Sequence, residues 1–166
     1  SYAFYGMTKL RTIEIAQTVT AIGDYAFKNC PVLDGVVLPS GLTHLGDSAF
    51  YACEKLSAIE IPAALWTIKP YTFKNCTGLT ELILNEGNLQ KIADGAFYNT
   101  ALTAVELPDC LSILDSYVFK NCSQLAEVKL SASLTQIREA SLYGTAISHI
   151  EIPEGVTSIK PYAFKN

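Results

Sequence analysis

The sequence is poor in the residue types on which most catalytic and metal sites depend. Its 166 residues include only two His, one Met and one Trp. His44 and His149 fall in different segments, and neither stands beside a nucleophile in a recognisable motif. There is no Cys-x-x-Cys pair, no glycine-rich phosphate loop and no outstanding pair of carboxylates. We therefore expect no enzyme, no cofactor and no bound metal.

Long apolar runs and basic runs are absent as well. No stretch approaches the roughly 18 consecutive apolar residues of a membrane span, so we expect no membrane insertion in this segment. The net charge is −4, and without a basic run nucleic acid is not an expected partner. What the chain does contain is 49% hydrophobic residues against 17% charged ones. This balance favours a sizeable core over disorder.

The most informative feature is an internal repeat. All seven Phe share one repeat position, Leu142 fills its single vacancy, and successive members lie 22 to 24 residues apart. The position is occupied by Phe4, Phe27, Phe50, Phe73, Phe97, Phe119, Leu142 and Phe164. A register this regular over the whole chain indicates a repeat architecture.

Each interval carries the same apolar pattern. It begins with L-x-x-h-x-h, where h is apolar, as in Leu56/Ile59/Ile61, and the alternating end predicts a short strand with one buried face. Pro often follows and ends the strand, because it cannot donate to a ladder. A second pair, h-x-x-h, as in Leu65/Ile68, then points inward before a polar turn.

One such unit cannot bury its apolar side alone, whereas stacked units can. We therefore predict a solenoid whose strands form one parallel sheet with rungs about 4.8 Å apart. Seven rungs at this spacing give a sheet about 30 Å long. The other side should consist mostly of turns. The one-residue length changes before Phe97, Phe119 and Phe164 should be absorbed in loops.

The unit "LSAIEIPAALWTIKPYTFKNCTGL", residues 56–79, resembles the BspA-like leucine-rich repeats of bacterial and protozoan surface proteins. The elements that carry the resemblance are L-x-x-I-x-I-P, then h-x-x-I, then aromatic-x-x-Cys, and they cover essentially the whole chain. The resemblance implies extracellular or cell-surface adhesion to host or neighbouring-cell proteins, and no catalysis. Residues 1–166 should form a single solenoid of about seven repeats. The chain starts and stops inside the motif, so we expect a fragment of a longer chain without caps, able to associate end to end.

Four of the five Cys share one repeat position: Cys30, Cys53, Cys76 and Cys122. On stacked rungs their side chains would run parallel, which is poor geometry for a disulfide. Thr100 and Thr145 fill the same position and could not bridge. We therefore interpret it as a site for a small buried residue, and Cys110, in a loop, as a free and more accessible thiol.

The predicted strands present one central outward position on every rung. It is occupied by Glu14, Val37, Glu60, Ile83, Glu106, Lys129 and Glu151. One interpretation is a solvated face that keeps the protein from aggregating. The other is a mildly acidic binding face, with apolar spots at Val37 and Ile83, that accepts a basic or mixed protein surface. Glu106, Lys129 and Glu151 should form an in-register charge ladder.

Trp66 occupies an outward position where the other repeats have Thr, Gln or Ser. It is a candidate hot spot for a protein partner. It could equally lie flat over a loop, or be covered by a neighbouring part of the full-length protein.

Tyr and Lys alternate at the position after the aromatic, so the sequence repeats fully only every two coils, about 46 residues. We expect the Tyr rings to zigzag along the turn side, with Lys between them in weak cation–π contacts. Asn75 and Asn121 match the glycosylation sequon but sit in repeat turns, where Asn tolerates unusual backbone angles.

These features leave three functional classes open. The first is a surface-displayed module that binds a protein, such as a host matrix or cell-surface protein, through its strands. The second is a structural spacer in a larger surface protein. The third is a carbohydrate-binding module, which is disfavoured because the strand face has few exposed aromatic residues.

Overall fold

The computed structural model describes all 166 residues and contains strands and turns but no helix. The strands in chain order are β1 Thr12–Ile13, β2 Ala21–Ile22, β3 Gly35–Val36, β4 His44–Leu45, β5 Ala58–Ile61, β6 Thr67–Ile68, β7 Glu81–Leu84, β8 Lys91–Ile92, β9 Ala104–Glu106, β10 Ile113–Leu114, β11 Glu127–Lys129, β12 Gln136–Ile137 and β13 Ser158–Ile159. Every strand pairing is parallel and joins neighbouring coils. The predicted parallel-strand solenoid is confirmed.

The first line of strands lies where the L-x-x-h-x-h pattern placed it. Its ladder is segmented, because β1 pairs with β3, β5 with β7 and β9 with β11, while no ladder joins one pair to the next. The coils therefore hydrogen-bond in twos along this line, which is the period of the Tyr and Lys alternation. The seventh expected rung is not a strand, since residues 147–152 contain only a bend at Ser148.

A second line of strands is formed by the h-x-x-h segments. It pairs β2 with β4, β6 with β8, β8 with β10, and β12 with β13. The sequence predicted that these apolar residues point inward on a side made mostly of turns, and the structure adds short strands to that side. Each strand here is two residues long and ends at a residue of the inward apolar pair, such as Ile68 in β6.

The turn segments form a third line of contacts between coils. From Phe4 to Leu142, the amide at the Phe position donates to a carbonyl one coil further on, as from Phe27 to Ala49 at 2.7 Å and from Phe50 to Thr72 at 2.8 Å. The residue two positions before each aromatic has a positive φ in every repeat, including Tyr25 at 57° and Tyr71 at 56°. This left-handed turn is unusual for a bulky residue.

The core is one continuous cluster of 37 buried residues that follows the solenoid axis. Its centre is a stack of six Phe rings, from Phe4 to Phe119, with centroids 5.0–5.6 Å apart and planes within 10° of parallel. Leu142 interrupts the stack before Phe164. The apolar columns read from the sequence are therefore the buried ones.

The three length changes fall in irregular segments, as predicted. The extra residue before Phe97 lies in the loop that follows β7, at residues 85–88. The coils that are one residue short lose it in the turns after Phe97 and Leu142. The strand register is thereby preserved.

Candidate functional site

The candidate site is the face presented by the first line of strands, which we call the strand face. Its central column consists of the seven residues predicted from the sequence, and all seven side chains are exposed: Glu14, Val37, Glu60, Ile83, Glu106, Lys129 and Glu151. Alternation along each strand sends the neighbouring residues into the core, as with Ile59 and Ile61 on either side of Glu60. The core therefore fixes the backbone from which these side chains project.

Two apolar side chains on this face stand out from the acidic ones. Val37 is 74% exposed and Ile83 is 42% exposed. Glu60 lies directly opposite Ile83 in the pairing of β5 with β7. The column thus runs acid, apolar, acid, apolar, acid from Glu14 to Glu106, with a period of two coils.

The expected charge ladder is present in part. Glu106 and Lys129 are in register across β9 and β11, and their exposed side chains form an ion pair. The hydrogen bond to Glu106 raises the pKa of Lys129. Glu151 makes no ion pair with Lys129 and lies outside any strand, so the ladder stops at Lys129.

Glu60 has a partner that the sequence reading missed. The amide of Asn85 on the next coil donates to Glu60 Oε1 at 2.7 Å and approaches the Ile61 carbonyl at 3.4 Å. Asn85 stands where Pro39, Pro62 and Pro108 stand in other repeats. The sequence did contain a sign of this contact, because Asn85 places a side-chain hydrogen-bond donor at a position where other repeats have Pro, which has neither an N–H nor a side-chain amide.

Shallow depressions interrupt the strand face. One of about 310 Å³ is lined by Val37, Glu60, Pro62 and Asn85 among others. Another, of about 540 Å³, lies between Glu106, Lys129 and His149. Both are open grooves lined by a mixture of apolar and charged or polar side chains. They fit a partner's side chains better than an enclosed small molecule.

Trp66 lies apart from the central column, on the segment just before β6. Its side chain is 53% exposed, while its backbone carbonyl accepts hydrogen bonds from Gln90 and Lys91 on the next coil. Equivalent residues on other coils, such as Thr43 and Ser112, use their hydroxyls to bond the preceding coil. Trp66 cannot do this, and half of its surface is left in water.

The groups that catalysis or metal binding would need do not converge. His44 and His149 are both exposed, and His149 makes no ion pair with Glu127 on the preceding coil. Nowhere do three His, Cys, Asp or Glu side chains come together as potential metal ligands. No segment forms a helix of the length and hydropathy needed to cross a bilayer.

All five Cys are free thiols, and the four in the shared repeat position are buried. Each buried thiol donates to the carbonyl of the aromatic residue one coil earlier, as from Cys53 to Phe27 at 3.2 Å and from Cys76 to Phe50 at 3.1 Å. Burial raises the pKa of all four, that of Cys76 to about 12. The column therefore links coils and leaves its thiols unreactive, as the interpretation of a small buried residue predicted.

Alkylation should separate Cys110 from the other four thiols. Cys110 is half-buried at a loop, whereas a thiol with a raised pKa offers almost no thiolate to a reagent. With iodoacetamide at pH 8, intact-mass spectrometry should show one adduct forming early and four more only in denaturant. Cys110→Ser should remove the early adduct. Rapid modification of two or more thiols in the folded protein would contradict the buried column.

The Tyr and Lys residues form a ladder along the turn edge. Lys28 lies 5.2 Å from the centroid of Tyr25 and 4.6 Å from that of Tyr51, and Lys74 lies 4.7 Å from that of Tyr98. Tyr71 leans over Gly95, where an added Cβ would lie 2.8 Å from the ring. The ladder matches the predicted zigzag, and it explains the two-coil alternation as packing between coils.

Asn residues complete this ladder. The side-chain amides of Asn75 and Asn121 donate to the hydroxyls of Tyr51 and Tyr98 at 3.3 and 3.2 Å. Both Asn adopt positive φ, near 61° and 62°. Since the same amide nitrogen would carry a glycan, the geometry supports the turn role of the two sequons.

A buried carboxylate was missed from the sequence. Asp115 is nearly inaccessible and accepts Lys91 Nζ at 2.7 Å and Arg138 Nη1 at 2.8 Å, so the three residues join three successive coils. Asp115 and Arg138 occupy the same repeat position, where Gly23 and Gly46 stand in earlier coils. Opposite charges at one position of adjacent repeats could have predicted this ion pair from the sequence.

Parallel strands stacked at about 23-residue intervals, Phe and Leu columns inside and an outward strand column define a leucine-rich repeat solenoid. The sequence matches the model of the "BspA type Leucine rich repeat region (6 copies)" over residues 1–103 and 46–166, so the chain belongs to this family. Solenoids of this class are protein-interaction or structural modules and are typically non-catalytic. No curated protein is significantly similar in sequence.

Solved bacterial structures share the fold. A leucine-rich repeat protein from Bacteroides ovatus is 28% identical with a TM-score of 0.87 over 96% of this chain. The leucine-rich repeat protein TpLRR of T. pallidum is 26% identical with a TM-score of 0.85, and 90% of this chain aligns with 73% of that one. A leucine-rich repeat protein from Eubacterium ventriosum is 27% identical with a TM-score of 0.77, over 95% of this chain and 43% of that one. The present chain spans 41% of the B. ovatus protein.

Proposed function

We propose that the chain is a non-catalytic protein-binding module that meets its ligand on the strand face. The observation that carries this proposal is the central column itself. It combines a backbone fixed by the core with exposed Val37 and Ile83, in a column whose only basic member is Lys129. Apolar side chains on such a face contribute contact area, and the surrounding charges select the partner.

We further propose that the module acts outside the cell, in adhesion to host or neighbouring-cell proteins. Support comes from the family, since the BspA-like repeats that this sequence resembles occur in bacterial and protozoan surface proteins. A leucine-rich cell surface protein from Faecalibacterium prausnitzii shares the fold at 20% identity and a TM-score of 0.61. Display on the surface is tested by antibody labelling of intact source cells, which should stain the module without permeabilisation.

Capture experiments test the binding role. The immobilised chain should bind a protein from a panel of fibrinogen, fibronectin and whole host cells, with saturation. A variant carrying Glu60→Gln, Ile83→Ser and Glu106→Gln should lose at least about tenfold in affinity, since rim and centre of one patch are removed together. The control Glu54→Gln changes an exposed acid in a turn and should bind like the parent. Binding that is unchanged in the triple variant would sink the strand-face assignment.

A structural spacer is the second candidate. The continuous stack of Phe rings favours it, because a solenoid with one uninterrupted core behaves as a stiff rod between its ends. This role needs no exposed apolar side chain on the strand face. A spacer should therefore show no saturable capture of any protein in the panel, and swapping Ile83 for Ser should leave its role intact.

A further inference from the structure

We propose that the strand face takes a proline-rich, basic polypeptide segment in the polyproline II conformation, lying along the solenoid axis from Glu14 to Glu106. This inference rests on the proposed function and adds the chemistry of the partner. Three observations on the central column carry it: its spacing, its alternation and its charge.

The spacing comes from the two-coil period. Glu14, Glu60 and Glu106 are separated by two coils each, and the Phe rings of these successive coils stack 5.0–5.5 Å apart, so the acids recur about every 10 to 11 Å. A polyproline II helix has three residues per turn and rises about 9.3 Å per turn, so every third side chain points the same way at nearly this interval. A β-strand does not fit, since residues i and i+3, which are about 10 Å apart along a strand, point to opposite faces.

The alternation supplies the contacts between the acids. Val37 and Ile83 lie midway between successive Glu residues and are exposed. A basic residue at every third position would meet the carboxylates, and the prolines between the basic residues would flank these two apolar side chains on either side. The depression beside Val37 and Glu60, about 310 Å³ in volume and bordered by Pro62, has room for a pyrrolidine ring. Aligned prolines also limit the entropy that the segment loses on binding.

Charge fixes both the sign of the partner and the limits of the site. Glu60 uses one carboxylate oxygen for the Asn85 amide and keeps the other free, while Glu14 has no side-chain partner. Glu106 already pairs with Lys129, so Glu14 and Glu60 are the two free acids, Glu106 marks the end of the site, and Lys129 would repel a cationic residue beyond it. The basic segment is therefore confined to the first five coils.

Synthetic peptides test this directly. Fluorescein-labelled (Lys-Pro-Pro)₅ should bind the whole chain saturably in anisotropy titrations, and more weakly as salt is raised. A peptide with the same ratio of Lys to Pro but with its Lys in adjacent pairs, (Lys-Lys-Pro-Pro-Pro-Pro)₃, carries one charge more and should still bind at least about threefold more weakly. (Lys-Gly-Gly)₅ has the same spacing but no preformed helix and should also be weaker.

Substitutions locate the site. Glu60→Gln keeps the Asn85 hydrogen bond and removes the charge, and Ile83→Ser removes the apolar contact. Each should weaken (Lys-Pro-Pro)₅ binding by on the order of threefold to tenfold, while Glu54→Gln should not. Equal affinity for all three peptides, or no loss in Glu60→Gln and Ile83→Ser, would overturn the inference. If the peptide fails while capture of a protein ligand remains sensitive to the strand-face triple variant, the peptide assignment falls and the proposed function stands.

Discussion

Replacing Phe73 by Ala should lower the free energy of unfolding by about 3–5 kcal/mol, the range for truncating a fully buried Phe. The ring is inaccessible to solvent and stacks between Phe50 and Phe97, with centroids 5.5 and 5.3 Å away. Its loss opens a cavity in the middle of a solenoid whose coils touch only their neighbours. Chemical denaturation followed by circular dichroism measures the change.

The matched control is Phe164→Ala. Phe164 occupies the same repeat position, but it is only half-buried and is separated from the ring stack by Leu142. Its truncation should cost less than half as much as that of Phe73. Equal losses at the two positions, or a loss below about 1 kcal/mol at Phe73, would mean that the Phe column does not form a graded, stacked core.

Removing both cations around Asp115 should be the second large effect. In a Lys91→Met, Arg138→Met variant the carboxylate stays buried without a partner, and stripping a buried charge of its partners typically costs several kcal/mol. Because Lys91 and Arg138 are themselves 38% and 43% exposed, solvent screens part of this interaction. We expect a loss of about 2–4 kcal/mol, read from the same denaturation curves.

The triple variant that also carries Asp115→Leu separates charge from packing. It removes the unpaired carboxylate and fills the site with an apolar side chain, so it should recover most of the lost stability. If the triple variant is no more stable than the double one, the loss came from the Lys and Arg stems and not from the buried charge.

The repeat made the fold predictable, because a column of identical residues reports burial many times over. Phe50, Leu56 and Ile59 each belong to columns that recur on nearly every coil, and all three are buried. The second line of strands was harder to foresee. Its segments are two residues long, and their hydrogen bonds depend on how closely the coils approach, which one sequence does not state.

Departures from the repeat proved to be the informative positions for side-chain partners. Asn85, at a position where four other repeats have Pro, bonds Glu60, and Asp115, at a position where the two earliest coils have Gly, pairs with Lys91 and Arg138. The repeat pattern alone could not reveal these contacts. The residues that repeats share predict the path of each coil, but not the partners of a residue that departs from the pattern. The outward column from Glu14 to Glu151 was predicted as exposed, and its residues are exposed; its use in binding stays a prediction.

The side chains on the turn edge and those on the strand face of the solenoid have different roles. The turn edge has a packing role, with Lys28, Lys74 and Lys120 held between Tyr rings. On the strand face, Val37 and Ile83 are exposed and do not pack between coils in this way. If a ligand binds, the two sides should therefore respond differently to substitutions of equal number.

The most direct test compares equilibrium binding of a captured protein ligand by two triple variants. One carries Glu60→Gln, Ile83→Ser and Glu106→Gln on the strand face, and the other carries Lys28→Gln, Lys74→Gln and Lys120→Gln on the turn edge, with both confirmed as folded by circular dichroism. We predict that the strand-face variant loses at least about tenfold in affinity while the turn-edge variant binds like the parent. Loss of binding in the turn-edge variant alone would contradict the account and move the binding site to the ladder of Tyr and Lys.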